Sequence, residues 1–142
     1  MLLNANNQVF VAQRIDQVAE AWQMPQGGVD DGEDPEAAAL RELKEEIGTD
    51  HVEILDRTED WISYDLPPEL IGKVWRGRYR GQKQKWFAMR FLGRDDDIDL
   101  DTEHPEFRDW RWIDVDELPD IIVEWKRDNY RQVVARFRHL RG

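Results

Sequence analysis

Residues 27–49 read GGVDDGEDPEAAALRELKEEIGT, a stretch that carries start and stop signals for one helix. Asp34 followed by Pro35 is an N-cap with proline at the first helical position, and Gly48 suits a left-handed stop. A helix over Pro35–Ile47 is therefore expected. At ~100° per residue, Glu42, Glu45 and Glu46 share one face while Leu40, Leu43 and Ile47 gather on another. One face belongs to a core and the other carries carboxylates. Two carboxylates ~4 Å apart repel by about 1 kcal/mol in water and by about 4 kcal/mol at a partly buried site, a cost that a divalent cation removes. The glycines before the helix, Gly27, Gly28 and Gly32, let the backbone turn sharply and approach a ligand. Taken alone, an acidic helix face is more often solvated surface than a metal site.

The spacing around that face is more specific. Gly27, five residues, Glu33, seven residues and then Arg41-Glu42-Leu43-Lys44-Glu45-Glu46-Ile47-Gly48 resembles the Nudix hydrolase box. Thr49 departs from the aliphatic residue usual at that position, which touches local packing and not the chemistry. The resemblance implies an α+β fold in which a mixed β-sheet lies between helices in three layers. It also implies hydrolysis of a phosphoanhydride with Mg²⁺ or Mn²⁺, more than one ion per site. Implied metal ligands are Glu42, Glu46, Glu45 and the carbonyl of Gly27, with Glu106 as an additional acid. The base that takes a proton from the attacking water stays open among Glu42, Glu45 and Glu106. Arg41 is expected to orient Glu42, together with Glu33, and not to contact phosphate.

Further matches cover nearly the whole chain. Trp22-Gln23-Met24-Pro25-Gln26-Gly27-Gly28, Trp61 to Pro67, Gly81 to Phe87, Pro105-Glu106-Phe107, Trp110-Arg111-Trp112 and Trp125-Lys126-Arg127-Asp128 resemble the bacterial RNA pyrophosphohydrolase and dinucleoside polyphosphate hydrolase branch. The implied partner is an RNA 5′ end or a dinucleoside polyphosphate. Arg14, Gln82 and Lys85 are the leading phosphate-binding candidates, with Tyr64 as a hydrogen-bonding or stacking partner. Trp125 beside Lys126 reads as a base-stacking aromatic next to a phosphate-binding lysine, against an equal reading of Trp125 as core. The other six tryptophans are assigned mainly to packing. Members of the branch carry a short segment before the first strand, whereas this chain begins inside it at Met1. A housecleaning enzyme acting on free nucleotides or nucleotide sugars is the alternative, and a catalytically silent binding module the third reading. A silent member would have lost part of the glutamate set, which is complete here.

Composition agrees with a compact enzyme. The 142 residues suit a single domain spanning 1–142, and a hydrophobic content of 40% with seven tryptophans argues against disorder despite 36% charged residues. The absence of cysteine removes disulfides and thiolate metal sites and agrees with a cytoplasmic setting. No apolar run reaches the ~18 residues of a membrane span, and no membrane or DNA partner is expected. A net charge of −11 opposes a polyanionic substrate, but its distribution is uneven. Between Glu69 and Asp95 there is no acid, and Lys73, Arg76, Arg78, Arg80, Lys83, Lys85, Arg90 and Arg94 fall in that window. The bland reading, solubilising surface charge, suffices for about half of these bases.

Strands are expected at Leu2-Leu3, Val9–Ile15, Val52–Leu55, Trp61–Asp65, Lys85–Leu92 and Trp110–Ile113. A helical turn at Val115–Leu118 should be broken by Pro119, and an amphipathic helix should run from about Lys126 to Leu140.

Overall fold

The computed structural model describes residues 1–15, 22–25, 32–58, 62–65, 81–103, 105–122 and 126–141; for 62–65, 81–84 and 141 the description is of the backbone. Seven strands and three α-helices are present among them: β1 Leu2–Leu3, β2 Gln8–Arg14, α1 Pro35–Ile47, β3 Val52–Arg57, β4 Ile62–Asp65, β5 Gly81–Gln84, β6 Phe87–Phe91, β7 Phe107–Asp114, α2 Leu118–Ile121 and α3 Arg127–Phe137.

Helix α1 starts and stops where the sequence signals place it. The Asp34 carboxylate accepts the Ala37 backbone N–H at 3.2 Å, and Pro35 occupies the first turn, where its missing N–H is harmless. At the other end Gly48 adopts φ +81° and donates its N–H to Lys44 O at 2.9 Å. A Cβ at Gly48 would lie 2.9 Å from the Asp99 carbonyl oxygen, so glycine serves both the left-handed turn and the close passage of the Asp99 segment.

Five strands form a sheet in the order β3-β6-β1-β2-β7. The β1–β6 pair is parallel, with Leu2 opposite Met89, and the other pairs are antiparallel, which makes the sheet mixed as expected. Strands β4 and β5 pair separately. Alternation along the strands divides the apolar residues between two faces. Val9, Val11, Ala88 and Ile113 join Tyr130, Val133, Val134 and Phe137 of α3 on one side. Leu2, Phe10, Ala12, Phe87, Met89 and Phe91 pack with Leu43 and Ile47 of α1 on the other. The sheet therefore lies between helices, the three-layer arrangement the sequence implied.

The long β2–β7 ladder carries the site. Its register runs from Gln8 opposite Asp114 to Gln13 opposite Asp109, then slips so that Arg14 faces Phe107 and Arg108 is the extra residue. A bulge of this kind bends the strand and re-aims the side chains beyond it. On β7, the backbone N–H of Trp110 is taken by the Asp109 carboxylate at 2.8 Å and that of Asp114 by Glu117 at 3.3 Å. Local carboxylates thus occupy donors that an edge strand would otherwise offer.

Some expectations need correction. Pro119 does not break the turn that begins at Val115: a 3₁₀ turn Val115–Glu117 runs on into α2, with Pro119 in the first turn of that helix, where proline is tolerated. The strand expected over Lys85–Leu92 is shorter, β6 from Phe87 to Phe91, because Lys85 and Trp86 lie between it and β5. The β7 strand is longer than Trp110–Ile113. The last helix becomes 3₁₀ from Arg138. No described helix is long and apolar enough to cross a membrane.

Candidate active site

The site lies where α1, the end of β2 and the approach to β7 converge. Glu46 is on the sheet-facing side of α1 and is 2% exposed, beside buried Leu43 and Ile47. Its Oε2 has no hydrogen-bond partner among the described residues. Burial, the charges of Glu106 and Glu42 and a hydrogen-bonded contact with Glu106 push its pKa up to about 9, against a downward pull from Arg14. Those causes also fix the neighbourhood, because Glu42, Glu106 and Arg14 must all stand close to Glu46. Burial pushes the pKa of Glu42 up as well, with Arg41 opposing.

Glu106 reaches the site because the chain is tied back just before β7: the backbone N–H of Ile15 donates to Glu106 O at 2.9 Å. The loop leading to it contains Thr102, whose buried Oγ1 lacks a partner among the described residues. Sequence reasoning did not single out that hydroxyl, and its only signal was its place at the start of the loop bearing Glu106.

Arg41 is an organiser. Its Nε and Nη2 each donate to Glu33 at 2.8 Å, while Nη1 donates to Glu42 Oε1 at 3.0 Å and reaches Glu45 at 3.2 Å. The paired bonds to Glu33 are the bidentate geometry that suits guanidinium and carboxylate. The hydrogen bonds to Glu33, and then those to Glu42 and Glu45, raise the Arg41 pKa further and fix the charge. Glu45, 57% exposed, lies on the outer side of the cluster.

A basic pair faces the acids. Lys126 is the N-cap residue of α3, and burial, followed by the charge of Arg14, lowers its pKa to about 8. Arg14 therefore acts on both Glu46 and Lys126, although these residues come from three distant parts of the chain. Lys85 is partly buried just beyond β5. Tyr64 and Gln82 are directly opposed in the β4–β5 ladder. Gly27 and Trp125 lie outside the described residues.

Among the described residues no three acidic or histidine side chains form a finished cation cage. The donor chemistry nevertheless fits a hard divalent ion. A buried carboxylate oxygen without a partner, beside two further carboxylates, supplies the all-oxygen ligation that Mg²⁺ and Mn²⁺ favour.

Comparison with known proteins agrees with this arrangement. The NUDIX domain family model matches residues 1–137. Relatives named RNA pyrophosphohydrolase include one from Rhodospirillum rubrum, 62% identical over 135 residues and covering 95% of this chain and 81% of its own length. Another, from Roseobacter denitrificans, is 57% identical over 139 residues, with 96% and 87% covered. Among solved structures, the E. coli dihydroneopterin triphosphate pyrophosphohydrolase superposes with a TM-score of 0.66 at 21% identity, over 96% of this chain and 93% of that one, a likeness of fold. With the box on α1, the sandwiched mixed sheet and a family match over almost its full length, the chain belongs to the Nudix family.

Proposed function

We propose that this protein is an RNA pyrophosphohydrolase, a Nudix enzyme that removes pyrophosphate or phosphate from the 5′ end of a transcript and accepts dinucleoside polyphosphates as related substrates. The observation that carries the reading is buried Glu46, with its unpartnered oxygen and its carboxylate neighbours Glu42 and Glu106. Such a group is costly unless a cation compensates it. The identity of 62% and 57% with proteins named RNA pyrophosphohydrolase supports the substrate class.

Glu46, Glu42 and Glu45, with Glu106 and the carbonyl of Gly27, would hold Mg²⁺ or Mn²⁺, more than one ion per site. Bound there, such an ion would supply Lewis acidity and lower the pKa of its water. Arg41 keeps Glu42 and Glu45 in place through its own pairing with Glu33. A carboxylate of the set, Glu42, Glu45 or Glu106, takes the proton from the attacking water. The new P–O bond forms as the bridging P–O bond breaks, leaving a 5′-monophosphorylated end and pyrophosphate.

Lys126 and Arg14 bind the phosphates. Two neighbouring cations, one of them largely buried, repel each other until an anion lies between them. Lys85, Tyr64 and Gln82 would extend the phosphate and sugar contacts, and Trp125 would stack on the terminal base. The enzyme would act in the cytoplasm, in RNA decay.

A turnover panel of 5′-triphosphorylated RNA, 5′-diphosphorylated RNA, diadenosine tetraphosphate and ADP-ribose, each with Mg²⁺ and with Mn²⁺, tests the proposal. The RNA substrates should give the highest kcat/KM. Preference for ADP-ribose would move the protein to the housecleaning class, and inactivity on all four would make it a binding module.

A further inference from the structure

A concavity of about 360 Å³ opens on the α1 side of the sheet. The turn between β1 and β2 lines one side of it, through Asn4, Asn6 and Gln8. Gly93 and Asp95 line another, and Phe91 and Trp112 supply aromatic surface. It is separate from the hydrolytic site. Gln8 and Arg14 stand at opposite ends of β2, and six steps at ~3.3 Å per residue put them roughly 20 Å apart.

Both polar walls are fixed before anything binds. Asn4 Oδ1 accepts the backbone N–H groups of Asn6 and Gln8, each at 2.9 Å, and Asn4 Nδ2 donates to Gln8 Oε1 at 3.0 Å. Across the opening, the Arg94 backbone N–H donates to Asp97 Oδ2 at 2.9 Å. A Cβ at Gly93 would fall 2.6 Å from that same Oδ2 and 2.9 Å from the Phe91 ring, so any larger residue there would displace one of these side chains. The Trp112 indole N–H donates to Asp95 Oδ1 at 3.0 Å and joins the two sides. Asp95 Oδ2 and the Asn6 side-chain amide carry no hydrogen bond among the described residues.

The charge around this feature is mainly negative. Among the described residues its lining includes one carboxylate and no base. The adjoining segment 94–103 holds Asp95, Asp96, Asp97, Asp99, Asp101 and Glu103 against Arg94 alone. The nearby Arg90 side chain alternates to the opposite sheet face from Phe91 and is bound to Asn4 O and Asn7 Oδ1. Such a field repels RNA phosphates and attracts cations.

We propose that this concavity is the docking point for an arginine side chain presented by a basic protein partner. A guanidinium is planar and weakly hydrated, so it stacks on the accessible part of the partly buried Trp112 ring while directing N–H groups at Asp95 Oδ2 and the Asn6 amide oxygen. A lysine ammonium matches the charge but not the stacking. The preformed walls limit the conformational entropy lost on docking.

Titration of the full chain with acetyl-Gly-Arg-Gly-amide, followed by NMR at the Trp112 indole N–H, tests this. A saturable shift with Kd of about 1–10 mM is expected, as is usual for one isolated side chain. The peptide with citrulline in place of arginine should bind at least ~10-fold more weakly, because it keeps the shape and loses the charge. Asp95→Asn should weaken the arginine peptide by ~10-fold, leave hydrolysis unchanged and, being at an exposed position, preserve the fold. Glu46→Gln should leave peptide binding intact, so this site stands or falls independently of the hydrolytic one. The proposal is overturned if arginine and citrulline peptides bind alike, if Asp95→Asn has no effect, or if the indole signal does not move. It is equally overturned if a 5′-monophosphorylated oligoribonucleotide shifts the indole and binds more tightly to Asp95→Asn.

Discussion

Glu46 on α1, buried, and Lys126 at the start of α3, partly buried, are groups of opposite sign, and burial drives them in opposite directions. The carboxyl rises to about 9 and the ammonium falls to about 8. Both move toward neutrality because a low-polarity surrounding disfavours whichever form is charged. The neighbours add to the effect: Glu106 and Glu42 oppose a second negative charge, and Arg14 opposes a second positive one. The two sides of the site would thus suit ligands of opposite charge. A divalent cation would hold Glu46 ionised, and a polyphosphate would hold Lys126 protonated. Each ligand supplies what its neighbourhood lacks, and the two halves are linked through Arg14.

The largest test of this contrast is Glu46→Gln. An amide of the same shape cannot serve as an anionic ligand, so turnover should fall by at least ~10³-fold, while the melting temperature holds or rises because a mostly neutral group replaces a strained one. Retention of near-normal turnover with Mg²⁺ would break the assignment on the α1 side. Lys126→Ala should have a smaller effect, about 10–100-fold in kcat/KM and mainly through KM, since one of several phosphate contacts is lost. A fall in kcat alone, with KM unchanged, would argue against ground-state phosphate binding.

The smallest effect is on stability, and it separates the two groups by pH. Folding raises the Glu46 pKa above its ordinary 4.5, so the folded chain holds that proton more tightly than the unfolded one. Its contribution is full below pH 4.5 and is lost as pH climbs toward 9, at up to about 1.4 kcal/mol per pH unit for one proton. Folding lowers the Lys126 pKa below 10.5, so its contribution is full above 10.5, declines as pH falls to about 8, and is flat below that. Between about pH 5 and 8 Lys126 therefore contributes no slope, and Glu46 lowers stability as pH rises, while the buried Met1 ammonium, whose pKa burial lowers from 8.0 to about 5, raises it. In chelator, the difference in unfolding free energy between Glu46→Gln and the unaltered chain should therefore grow in favour of the variant across that window, whereas the difference for Lys126→Ala should stay constant. A Glu46→Gln difference that does not change with pH would break the assignment.

Helix α1 could be read from sequence because its determinants are local. Asp34, Pro35 and Gly48 set its ends, and the spacing of Leu40, Leu43 and Ile47 sets its apolar face. The same spacing did not reveal that Glu46 would be buried with the apolar residues, because periodicity at ~100° per residue leaves a boundary position undecided. Glu106 and Lys126 were legible as candidates only through the motifs around them. Their convergence on Arg14 depends on the bulge at Gln13 and Arg14 and on the Ile15–Glu106 hydrogen bond, which no local pattern encodes. Pro119 was misread for a related reason: proline interrupts a helix already under way but is compatible with a first turn, and where that turn starts is fixed by the 3₁₀ segment before it. The later start of the expected 85–92 strand follows from partners, since β5 before it pairs with β4 whereas β6 lies between β3 and β1.

The position of β1 has a consequence for how the chain is made. This short apolar strand, first in sequence, sits at the middle of the sheet, and its parallel partner places Leu2 beside Met89. During synthesis at 5–20 residues per second, β1 waits roughly 4–17 s for that partner to emerge. Until then its leucines have the β2 hairpin as cover on one side only. The central sheet can close only after most of the chain has left the ribosome, and the long loop closure involved makes this a slow-folding topology for its size.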